Sequence, residues 1–103
     1  MREQIEILKN ILKEKSNIKQ IYIFGSNAYG TPSEESDIDL CVITDFNNKR
    51  KIEVIREIRR ELIKFISSPL DILVYSEKEF KERANLDNTL EYKILRDGIK
   101  VYG

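Results

Sequence analysis

Two aspartates, Asp37 and Asp39, open a run that is otherwise apolar as far as Thr44. No other feature limits so firmly what this chain can fold into. Ile, Leu and Val at that density, preceded by turn-forming residues, read as a β-strand. Side chains alternate across a strand, so Ile38, Leu40 and Val42 share one face while Asp37, Asp39, Cys41 and Ile43 share the other. Two carboxylates side by side among apolar neighbours are poor folding chemistry unless something cationic sits beside them.

The surrounding pattern supplies the partners for such a strand. Ile5, Leu8, Ile11 and Leu12 recur at helical spacing among charges and predict an amphipathic first helix. Ile18 to Phe24 predicts a strand, stopped by Gly25-Ser26, and residues 25–36 are polar and turn-rich, a surface loop. Asn47 or Asn48 is placed to cap a helix from about Lys49 to Ile66, with Ile52, Ile55, Ile58, Leu62 and Phe65 facing the core. Ser67-Ser68-Pro69 ends it and leads into a third strand, Leu70 to Tyr75. Ser76 and Glu79 form a capping box that starts a short helix at Glu77. Asn88 to Glu91 repeats that logic for a last helix ending at Asp97, with Gly98 expected in the left-handed C-terminal position and Ile99 to Tyr102 as a short edge strand. Strands alternating with helices predict an α+β or α/β layer built on one sheet. At 103 residues, one domain spanning 1–103 and one core are expected.

Composition removes several chemistries. With no His and a single Cys, the chain has no Ser-His-Asp or Cys-His nucleophile system, no His-ligated zinc, no intrachain disulfide and no Cys cluster. Catalysis has to run on carboxylates, hydroxyls, Lys, Arg or bound metal. Eighteen basic against 18 acidic residues argue against general nucleic-acid binding, which needs an excess of cations. No apolar run is long enough to span a membrane, and Glu3 and Glu6 stand where a secretory signal would be basic and then apolar, so a cytoplasmic location is expected. Cys41 reads as a core thiol. Lys49-Arg50-Lys51 and Arg59-Arg60 read as a solvated helix face.

Asp37 and Asp39 lie two residues apart on one face, with Cα atoms about 6.5–7 Å apart. Carboxylates so spaced can share divalent cations, and two-metal sites hold their ions about 3.5–4 Å apart. Asp71 leads the third strand in the same manner, so neighbouring second and third strands would complete a cluster of three. Upstream, Gly25 permits close backbone approach to a phosphate, and Ser26 offers a hydroxyl and an N–H where anions are favoured. A phosphate cradle beside a metal cradle points to nucleotidyl or phosphoryl transfer, in which positioning and charge neutralisation do most of the work.

Gly25-Ser26, then ten residues, then Asp37-Ile38-Asp39, then a strand bearing Asp71, resembles the polymerase-β-type nucleotidyltransferase superfamily, most closely its minimal (MNT) branch with the MntA-like antitoxins. The resemblance implies a palm-like mixed sheet flanked by helices, ATP as donor and two Mg²⁺ ions. It implies that Asp37 and Asp39 bind both metals and the triphosphate. Asp71 would bind the catalytic metal and accept the proton of the attacking hydroxyl, while Gly25 and Ser26 hold the phosphates. It further implies a HEPN-domain toxin as partner, silenced by transfer of AMP to one of its tyrosines. Many relatives carry Arg in the loop after Gly-Ser, where this chain has Asn27-Ala28-Tyr29-Gly30. A cation to offset the triphosphate then has to come from elsewhere, by position Lys49 or Arg50, or from a partner. Two alternatives stand beside transfer to a protein hydroxyl: a catalytically weak module that neutralises its partner by complex formation, and nucleotidyl transfer to a small molecule. So small a catalytic unit has little wall to hold an acceptor, which favours a homodimer or a separate partner subunit.

Overall fold

A computed structural model describes residues 2–15, 17–25 and 37–103. Four strands form a mixed sheet in the order β3-β2-β1-β4, with β1 at Ile18–Phe24, β2 at Ile38–Thr44, β3 at Leu70–Tyr75 and β4 at Ile99–Tyr102. β1 runs antiparallel to both β2 and β4, whereas β2 and β3 are parallel. Helix α1 is Arg2–Lys13, α2 is Lys51–Leu62, α3 is Glu77–Ala84 and α4 is Leu90–Asp97. The architecture is α+β, a mixed sheet flanked by helices, as the sequence predicts.

Strand alternation builds two cores. On one face Ile21, Ile23, Leu40 and Val42 pack with Leu8 and Leu12 of α1 and with Val54, Ile58 and Leu62 of α2. On the other face Tyr22, Phe24, Cys41, Ile43 and Tyr75 pack with Phe80 and Ala84 of α3 and Ile94 of α4. The sheet is therefore covered on both sides, which accounts for strands apolar in nearly every position. Among the described residues no helix is long and apolar enough to cross a membrane.

Four local expectations are corrected. Asn47 and Asn48 do not cap α2: both adopt positive φ (53° and 67°), turning the chain left-handed, and Arg50 stands at the cap without a side-chain hydrogen bond. The buried stripe of α2 is Val54, Ile58 and Leu62, continued by Ile66, while Ile52 is 45% and Phe65 61% exposed. The helix ends at Leu62, so Phe65 leaves the predicted phase. Gly98 has φ −70° and is not left-handed. Its lack of a side chain serves close packing instead, since a Cβ there would lie 2.5 Å from the Ile94 carbonyl oxygen. The expected box at Ser76 holds, its Oγ accepting from the Glu79 amide at 3.1 Å, whereas the box expected from Asn88 to Glu91 is displaced by one residue: Thr89 is the cap of α4, and its Oγ1 accepts from the Tyr92 amide at 3.1 Å.

Candidate active site

The parallel pairing of β2 with β3 puts Asp39 directly opposite Asp71, and Asp39 faces Phe24 of β1 on its other side. Adjacent strands lie about 4.8 Å apart, so both carboxylates leave the same face of the sheet at the same level. Asp37, exposed, precedes β2 by one residue on that face. The register is held from outside the strands. The Ile38 amide donates to the Pro69 carbonyl at 2.8 Å. Gln4 of α1 accepts from the Ser67 amide at 2.9 Å and donates to Ser68 Oγ at 2.9 Å. Arg59 Nη1 donates to the Leu70 carbonyl at 3.1 Å. The segment delivering Asp71 is thus tied to both α1 and α2.

Gly25 closes the other side. Its φ is +75°, and a Cβ there would fall 1.9 Å from Asp39 Oδ2, so the backbone leaving β1 lies directly against the carboxylate. Asp39 is half-buried as a result. Burial pushes its carboxyl above the ordinary aspartate value, and the negative charges of Asp71 and then Asp37 push it further. Three carboxylates that repel one another around a glycine gap fit divalent cations, which carry the charge that relieves the crowding. They do not form a finished cage: among the described residues no group of three His, Cys, Asp or Glu converges tightly enough to hold a metal by itself. Mg²⁺ has no need of one, because it takes one or two carboxylates and completes its shell with substrate phosphates and water.

Of the sequence-predicted residues, the structure gathers Gly25, Asp39 and Asp71 at one point with Asp37 beside them. Ser26 lies outside the described residues, as does the rest of 26–36, including Tyr29. Lys49 and Arg50 are not at the site. They follow the far end of β2, where Lys49 pairs with Glu57 at 2.7 Å and Arg50 with Glu53 at 2.8 Å. Among the described residues Arg59 does reach the carboxylate end, bonded to the backbone one residue before Asp71. Nothing in the local sequence signals it, because the contact depends on α2 folding back along β3. Cys41, on the same strand as Asp39, is fully buried, and its thiol is pushed up to about 12 by burial and by Glu91, an inert core residue as predicted.

Residues 5–100 match the nucleotidyltransferase domain family. The chain belongs to that family. Over 73 residues, 71% of this chain and 73% of the relative, the transferase is 37% identical to a protein of Methanocaldococcus jannaschii named "Putative protein adenylyltransferase MJ1379". Its fold is similar to that in a crystal structure of a mutant MntA-HpeT toxin-antitoxin (TM-score 0.62, 18% identity, 97% of this chain and 73% of that one). A toxin-antitoxin crystallised with AMP-PNP is similar too (TM-score 0.59, 20% identity, the same shares). The expectation of a nucleotidyltransferase is met by family and fold alike.

Proposed function

We propose that the transferase moves AMP from ATP to a hydroxyl, namely a tyrosine of a HEPN-type partner toxin, and so acts in the cytoplasm as the antitoxin of the pair, with residues 1–103 as one minimal catalytic domain. The observation that carries this reading is Asp39 set between Asp71, opposite it in register, and the glycine gap of Gly25. The family supports nucleotidyl transfer. The adenylyltransferase name of the archaeal relative supports AMP and a protein acceptor. The toxin-antitoxin neighbours support the partner, and the AMP-PNP in one of them supports ATP as donor.

In this reading Asp37, Asp39 and Asp71 hold two Mg²⁺ ions. Bound there, the metal would neutralise triphosphate charge and polarise the phosphorus under attack. Gly25 and Ser26 hold the outer phosphates with backbone and hydroxyl donors. Asp71 accepts the proton from the acceptor hydroxyl, whose oxygen forms a bond to the α-phosphorus as the bond to the β-phosphate bridging oxygen breaks and pyrophosphate leaves.

The test is incubation with α-labelled ATP, Mg²⁺ and the polypeptide that co-purifies with the transferase. Label is expected on a tyrosine of that polypeptide with wild type, falling at least about a thousandfold with Asp37→Ala/Asp39→Ala. Equal labelling by both, or by neither, overturns the reading. Full neutralisation of the partner by the double variant would favour stoichiometric occlusion instead.

A further inference from the structure

Away from the carboxylates, α3, α4 and the β1-β4 side of the sheet enclose a groove of about 400 Å³. Its floor is apolar, formed by Tyr22 and Phe80, whose rings stack with centroids 5.8 Å apart. One wall is Leu95 of α4, a leucine left 51% exposed. The rim carries Lys81 and Lys100. Among the described residues neither lysine forms an ion pair and no carboxylate lines the groove. Lys100 belongs to β4, the end strand of the sheet, whose outer backbone edge has no strand partner among the described residues. Among the described residues an apolar floor, a cationic rim and an unpaired strand edge thus belong to one side of the sheet.

We propose that this groove binds an extended acidic segment of a partner polypeptide, which adds along β4 and seats a bulky apolar side chain between Leu95 and Phe80. Main-chain bonds to a free edge give such complexes their affinity, and a pocket beside the edge gives them selectivity. The charge settles which kind of segment fits. A second copy of this chain pairing through β4 would bring the lysines of both rims together, and an edge lysine is a common device against such self-pairing. An acidic segment neutralises both lysines. The proposal goes beyond the transfer chemistry and stands whether or not the carboxylates are active, since no groove residue belongs to the catalytic cluster.

The probe is a fluorescein-labelled nonapeptide alternating glutamate and threonine with phenylalanine at its centre, so that one face presents the aromatic ring flanked by carboxylates. Binding by anisotropy below about 1 mM is expected, with amide shift changes in a ¹⁵N spectrum at Lys100, Val101 and Leu95. Lys81→Glu/Lys100→Glu is expected to weaken it about tenfold or more, and Leu95→Ser, at an exposed position, to weaken it without unfolding. Both variants should keep the melting shift given by Mg²⁺ and ATP, which reports on the carboxylate site separately. The proposal is overturned by no binding, by equal binding of the peptide with lysine in place of glutamate, by unchanged affinity in both variants, or by shift changes elsewhere. A wild-type dimer in sedimentation that Leu95→Ser turns into monomer would also overturn it, by seating a second copy there.

Discussion

Gly25 and Asp39 constrain each other. The positive φ at Gly25 costs an L-residue about 1–2 kcal/mol, and the space a Cβ would need is filled by the Asp39 carboxylate. Gly25→Ala is expected to lower unfolding free energy in urea by about that amount and to cut AMP transfer further than the lost stability explains, because the aspartate has to move. Wild-type transfer by a folded Gly25→Ala protein would remove Gly25 from the site. Asp39 tests the electrostatics. Its carboxyl is raised in the fold, so its ionised form is less comfortable folded than unfolded, and removing the charge helps the metal-free protein. Asp39→Asn is expected to stabilise the protein in EDTA by a few tenths to about 1 kcal/mol, the range for relieving like charges directly across a sheet. A lower midpoint in EDTA would mean that the carboxylate already has a compensating cation from the chain.

At the scale of elements, α3 and α4 are joined by a buried carboxylate. Glu91, 3% exposed, accepts from Arg83 Nε and from the Tyr75 hydroxyl at 3.2 Å. Its Oε2 has no hydrogen-bond partner among the described residues. Burial pushes its carboxyl up, but the hydrogen bonds and charge of Arg83, a backbone amide and the Tyr75 hydroxyl outweigh this and hold it below the ordinary glutamate value. A depressed carboxylate contributes stability above its unfolded value of about 4.3 and loses it as pH falls through the folded value. Arg83→Met is accordingly expected to cost about 2 kcal/mol at neutral pH, less than for a wholly buried pair because Arg83 is half-exposed. That deficit should shrink towards pH 4, where Glu91 without Arg83 takes up a proton first. A deficit independent of pH in paired urea titrations would assign the loss to packing. Neither partner was legible locally: Glu91 reads as part of a capping sequence, and nothing within a helical turn of Arg83, eight residues before it, points to that carboxylate. Ser76 was legible, because its signal is complete within four residues.

At the scale of the molecule, the carboxylates couple ligand to fold. Mg²⁺ with a non-hydrolysable ATP analogue at 100 times its dissociation constant is expected to add about 2.7 kcal/mol to unfolding free energy, seen as a raised midpoint in calorimetry, and Mg²⁺ alone to add less. An unchanged midpoint at millimolar Mg²⁺ and nucleotide would count against a competent site. The sequence by itself determined the strands, the phase of β2 that sets Asp37 and Asp39 on one face, the glycine stop before them and the carboxylate leading β3, because alternation and turn chemistry are read within a few residues. Only tertiary structure decided that Asp71 stands opposite Asp39, that Lys49 and Arg50 lie at the wrong end while Arg59 reaches the right one, and that lysines from α3 and β4 rim one groove. Each of these pairs residues far apart in the chain, and such distances are set by register and helix packing, whose energies belong to the folded whole.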